Sequence, residues 1–192
     1  MPIYIAMLRG INVGGHHRIK MEQLKKSFAS LGFDQVRTYI QSGNVVFQAA
    51  KASPAMLSRR FEEIIAKDFG FSVSVVIRSE AELSKIIESN PFVNQRGVDL
   101  EKLHVTFLSH TPASTALTKL SALTIAPEQS HCANRDIYLH LPNGVADSKL
   151  MKVPLDRTLG VVTTTRNWRT VTTLHQMCKG EGKKEDKKEN RR

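Results

Sequence analysis

Residues 3–8 read Ile3-Tyr4-Ile5-Ala6-Met7-Leu8. Successive side chains of a strand point to opposite faces. Here both alternating sets are apolar, Ile3, Ile5 and Met7 on one face and Tyr4, Ala6 and Leu8 on the other. The stretch therefore reads as a strand covered on both sides. Val45-Val46-Phe47 has the same character. Residues 36–41 instead alternate, with Val36, Thr38 and Ile40 set against Arg37, Tyr39 and Gln41. Val73, Val75 and Ile77 likewise alternate with Ser72, Ser74 and Val76.

Two helical stripes lie between these strands. Met21, Leu24, Phe28 and Leu31 form the first, which Gly32 stops. Leu57, Phe61, Ile64 and Ile65 form the second, with Ser53 as cap, Pro54 at the first position and Gly70 at the end. The order is β-α-β-β-α-β, the ferredoxin-like unit. Its first and third strands are central and its second and fourth are edges, which matches the doubly apolar and alternating patterns. A lone sheet of this kind has helices on one face only. Central strands that are apolar on both sides imply a cover, either the second half of the chain or a partner subunit.

Ser79-Glu80-Ala81-Glu82 is a capping box that starts a short helix carrying Leu83, Ile86 and Ile87. Residues 91–101 read as a connection. Leu103, Val105 and Phe107 then alternate in a strand, and Thr111-Pro112 opens a helix with Leu117, Leu120 and Leu123. Residues 135–141 make another strand. Residues 145–159 look helical around an interruption at Pro154. Val161-Val162-Thr163 reads as a short strand, and a last helix carries Trp168, Val171, Leu174 and Cys178. Trp168 falls on the apolar stripe and reads as core. The expected architecture is α+β, two packed ferredoxin-like βαββαβ subdomains with the second less regular. The first spans 1–90 and the second 101–178, with a disordered charged tail at 179–192.

The 192 residues carry 28 Lys and Arg against 18 Asp and Glu, a formal charge of +10. That charge is unevenly placed. Residues 1–60 hold nine bases and only Glu22 and Asp34 as acids, whereas residues 61–150 are net acidic. The tail mixes bases with acids and has no apolar residue, so it reads as a solubilising segment with a diluted field. Hydrophobic residues are 41%, which excludes wholesale disorder. The short apolar N-terminus lacks the basic leader of a signal peptide, and no stretch reaches the ~20 apolar residues of a membrane helix. Two cysteines, Cys132 and Cys178, fit reduced thiols in the cytosol. A cytoplasmic protein without membrane contact is expected.

Three segments could carry chemistry. Arg9-Gly10-Ile11-Asn12-Val13-Gly14-Gly15 joins a strand to a helix, and such loops present backbone N–H groups to anions. It is neither a Walker A loop nor a Rossmann fingerprint. Its glycines also suit a tight turn at positive φ. Gln41, Ser42 and Asn44 lie at a polar hairpin turn, where turn chemistry alone accounts for them. Thr163 to Thr170 spans a strand end and a helix start, with Arg166 beside a helix N-terminus. His131, Cys132 and His140 match no structural zinc pattern, and His175 with Cys178 is half of one. No metal and no cofactor are expected.

Four blocks together resemble the bacterial domain-of-unknown-function 1697 family. They are residues 8–15, residues 39–47, Leu141-Pro142-Asn143-Gly144 with Ser148-Lys149-Leu150, and Thr164-Thr165-Arg166-Asn167-Trp168 with Thr170-Val171. The resemblance covers residues 1–178. It implies two ferredoxin-like subdomains and a cytosolic protein, and it brings no activity, substrate or catalytic residue. His16-His17 and Val145-Ala146-Asp147 depart from the family pattern, and Asp147 would weaken an anion site near Lys149. The resemblance groups Arg9, Asn12, Gln41, Ser42, Asn44, Ser148, Lys149, Arg166 and Asn167, to which the loop adds Gly14 and Gly15. These groups are mostly donors. If they converge, they suit a phosphate, nucleotide or carboxylate in a cleft between subdomains. They include no carboxylate, histidine or cysteine for acid–base work, so whether the chain is an enzyme stays open. The alternatives are a weak nucleic-acid-binding module and a scaffold that forms a homo-oligomer through its apolar sheet face. The first alternative lacks paired base-stacking aromatics in residues 44–49.

Overall fold

The computed structural model describes residues 1–15 and 17–180. Of the tail expected at 179–192, residues 181–192 lie outside the described residues, as does the departure at His16. The first half runs β1 (Ile3–Leu8), α1 (Met21–Ser30), β2 (Asp34–Tyr39), β3 (Asn44–Gln48), α2 (Pro54–Phe69), β4 (Val75–Ser79) and α3 (Glu80–Glu88). The second runs β5 (Leu103–Leu108), α4 (Ser114–Leu123), β6 (Gln129–Ala133), β7 (Asp136–His140), α5 (Leu155–Leu159), β8 (Thr163–Asn167) and α6 (Trp168–Cys178). Each half forms one four-stranded antiparallel sheet. Their orders are β2-β3-β1-β4 and β6-β7-β5-β8, so the fold is α+β and the second half repeats the strand order of the first.

The two faces of β1 feed two different cores. Tyr4, Ala6 and Leu8, with Val45 and Phe47, face α1 and α2 and meet Leu24, Phe28, Leu57 and Phe61. Ile5 and Met7, with Val46 and Val76, face the other way. They pack with Leu103, Val105 and Phe107 of β5, Leu83 of α3, and Trp168, Val171 and Leu174 of α6. The cover that β1 requires is therefore the second half of the same chain. Burying each large side chain contributes about 1.5–3 kcal/mol, so this shared core binds the halves strongly. The same layer fills the sheet face that an RNA-recognition module leaves open for stacking bases. A third core lies between the second sheet and α4 and α5.

Local signals set the helix ends. Ser53 accepts from the Met56 N–H, Pro54 starts α2, and Gly70 ends it at φ 77°. The Ser79 hydroxyl accepts from the Glu82 N–H while the Glu82 carboxylate accepts from the Ser79 N–H, which completes the capping box of α3.

Four expectations need correction. β2 ends at Tyr39, so Ile40 leaves the alternation and sits in the turn, half-exposed at φ 47°. Residues 145–159 are mostly irregular, with a 3-10 turn at Leu150–Lys152 and a helix only from Leu155. Glu128 holds that segment by accepting from the Lys149 and Leu150 N–H groups at 2.9 and 3.2 Å. The strand expected at 161–163 lies at Thr163–Asn167. The edge strand β6 was not expected, because its sequence, Gln129-Ser130-His131-Cys132-Ala133, carries no apolar alternation.

Candidate functional site

Of the residues expected to hold an anion, Arg9, Ser42 and Arg166 line one cleft at the junction of the halves, and most of the set binds protein. Arg166 leaves β8 and crosses into the first half. Its Nε donates to Asn44 Oδ1 at 2.6 Å, and Nη2 donates to the Leu8 and Ser42 carbonyls at 2.7 and 3.0 Å. Nη1 donates to the Thr164 hydroxyl and the Thr165 carbonyl. A guanidinium has five N–H donors, and these bonds use all five. Burial pushes the group down to about 10, so it remains a cation at neutral pH.

Arg78 is its counterpart. Its Nε and Nη2 donate to Asp136 Oδ1 at 3.2 and 2.9 Å, and Nη2 also reaches the Leu108 and Arg135 carbonyls. The guanidinium lies 5.7 Å from the Phe107 ring centroid. The two arginines hold equivalent places. Arg78 pairs with Ile5, the third residue of β1, and Arg166 pairs with Val105, the third of β5. Their acceptors match too: Leu108 and Leu8 end their strands, and Asp136 and Asn44 begin theirs. Each half thus sends one buried arginine into the other. Sequence reasoning missed Arg78 and Asp136. The available signal was a charge inside the apolar run Val75-Val76-Ile77-Arg78.

The other expected residues divide as follows. Asn44 is fully buried and donates to the Tyr39 carbonyl and the Ser42 hydroxyl, so the hairpin turn uses it. Asn12 clasps its own loop: it accepts from the Ile19 N–H at 2.8 Å and donates to the Ile19 and Gln41 carbonyls. Gly14 and Gly15 stand exposed at positive φ, as a tight turn requires. Gln41 is exposed. Ser148 is fully buried and accepts from the Met151 N–H. Lys149 is exposed and does not line the cleft described next. Asn167 caps α6 by accepting from the Thr170 N–H at 2.8 Å.

A cleft of about 380 Å³ remains at the junction. Its walls are residues 9–11 and Val13 of the glycine loop, Ser42, Met151 with residues 153–156, and residues 163–166. At its side Arg9 Nη2 lies 2.5 Å from Asp156 Oδ2, with side chains 51% and 27% exposed. Asp156 was not singled out from the sequence. Its Oδ1 accepts from the Thr163 N–H and hydroxyl at 3.1 and 2.5 Å, which fixes the carboxylate. Gly43 supports the floor. A Cβ there would lie 2.7 Å from Ile11 Cδ1 and 2.8 Å from Leu8 Cβ, and its φ is 76°. Among the described residues no group of three or more His, Cys, Asp or Glu is placed to hold a metal ion, and no helix is long and apolar enough to cross a membrane.

Two facing sheets, joined by reciprocal buried arginines and grooved at the junction, define the class, an α+β protein with one shared central core. Residues 1–138 match the family described as "Protein of unknown function (DUF1697)", and the chain belongs to that family. A conserved bacterial protein, SP0830 from Streptococcus pneumoniae, has a similar solved structure. The TM-score is 0.72 at 24% identity, over 92% of this chain and 98% of that one. This likeness is one of fold. No curated protein matches the chain.

Proposed function

We propose that this cytoplasmic protein binds a small acidic ligand in the cleft between its halves, with Arg9 as the recognising cation. The observation that carries the reading is Arg9 itself. Among the described residues its guanidinium has one side-chain partner, Asp156, and it stays half-exposed on the cleft wall. The carboxylate that it already holds is the group that a planar guanidinium recognises best. Arg166 cannot share the task, since its donors are spent. Of phosphate, nucleotide and carboxylate, the geometry favours a carboxylate. A single guanidinium suits one carboxylate group, and the cleft size falls within the ~300–1,000 Å³ of small-molecule sites. Nucleic acid is the less favoured partner, because the usual stacking face is buried. The cytoplasmic reading is supported by two free cysteines.

The test is a thermal-shift panel of monocarboxylates (amino acids among them), inorganic phosphate and nucleotides, run on the protein and on Arg9→Gln. A carboxylate that raises Tm in the first and not in the second supports the reading. A panel in which no acid shifts Tm, or in which Arg9→Gln shifts equally, sinks it.

A further inference from the structure

We infer that the cleft takes an aliphatic zwitterion, an α-amino acid or close analogue. Its carboxylate sits on Arg9, its ammonium on Asp156, and its side chain against Val13, Met151 and Val153. This rests on the acid-binding reading above and narrows it.

The charges come first. Arg9 and Asp156 stand side by side and both are reachable from the cleft. Asp156 cannot swing away to admit an anion, because Thr163 grips its Oδ1 through both the N–H and the hydroxyl. A phosphate on Arg9 would therefore rest beside a fixed carboxylate, and like charges at contact distance repel. A ligand that carries both signs meets both partners. The second guanidinium that a phosphate clamp uses is missing, since every Arg166 N–H is committed to protein oxygens.

The apolar share of the wall comes second. Val13 is 66% exposed at the cleft, and Met151 and Val153 face it from the opposite half. These side chains together give the cleft wall an aliphatic share beside the Arg9–Asp156 pair, which an amphiphilic ligand would cover. A small sugar or inorganic ion leaves that surface wet.

The experiment is isothermal titration calorimetry of the full chain with leucine, leucinamide, N-acetyl-leucine, glycine and inorganic phosphate. Arg9→Gln serves as the cleft control, because an exposed side chain can be exchanged without loss of core. Leucine is expected to bind at least tenfold more tightly than each of the other four, and Arg9→Gln is expected to abolish its binding. If N-acetyl-leucine or phosphate binds as tightly as leucine, in an Arg9-dependent way, the zwitterion inference falls and the acid-binding reading stands. If leucinamide or glycine equals leucine, the carboxylate or the aliphatic contact is unused and the inference falls. If no probe binds, or binding ignores Arg9, both fall.

Discussion

Arg166 Nε and Asn44 Oδ1 meet at 2.6 Å across 122 residues of chain, and that bond joins the two sheets at the floor of the cleft. A cationic side chain here is saturated by neutral oxygens, so its role is structural. Arg166→Ala would leave the Asn44, Leu8 and Ser42 oxygens without their donor. Leaving such buried neutral acceptors unsatisfied costs about 1–3 kcal/mol each, so a total loss of about 3 kcal/mol is expected. Urea denaturation should show that loss, and Arg166→Lys should recover only part of it, since an ammonium has three donors. A loss below about 1 kcal/mol would remove the structural role.

The equivalence of Asn44 and Asp136 makes a sharper prediction. Arg166 is content with a carboxamide where Arg78 has a carboxylate. Burial pushes the Asp136 carboxyl up against the pull of Arg78, so its charge is held at a cost. Asp136→Asn should therefore cost less than half of what Asp136→Ala costs, the latter being about 3–5 kcal/mol. Equal losses in chemical denaturation would mean that the charge, rather than the shape of the acceptor, holds Arg78.

Gly43 is fixed by two constraints at once, its φ of 76° and the approach of Leu8 and Ile11. Gly43→Ala should destabilise by about 2 kcal/mol or more through strain and overpacking. It should also disturb the cleft, because Ser42 and Ile11 line it. Melting curves check the first effect and ligand titration the second. An unchanged Tm would show that the turn can relax.

His104 supplies the pH dependence. Burial pushes its imidazole below the ordinary 6.5, and the Lys102 charge adds to that, against a contact to the Lys102 carbonyl. The unfolded chain then binds this proton more readily than the folded one, so stability falls as pH drops below 6.5. His104→Gln should flatten the stability profile between the folded value and 6.5. An unaltered slope would assign the acid loss to other groups.

The first sheet was legible because one strand carried two apolar faces. Ile5 and Met7 demanded a cover as plainly as Tyr4 and Leu8 demanded helices, and both covers are present. The second sheet was harder to read. β6 is a polar edge strand, and an edge need not alternate to pair. Arg9 and Arg166 both line the cleft, but the sequence could not say that Arg166 spends its donors inward. That depends on where the Leu8 and Ser42 carbonyls point, and carbonyl direction has no residue code. Asp156 escaped for a similar reason, since one acid in a basic stretch looks like dilution until Thr163 is seen to aim it.

The reciprocal arginines also determine how this groove can behave. With a guanidinium from each half anchored in the other, the junction is a weld and cannot serve as a hinge. Opening it would strip both cations of their acceptors at once. A groove held in this way offers the proposed ligand a fixed mould. Capture of the proposed ligand should then need no slow closing step, with its rate set by diffusion and alignment.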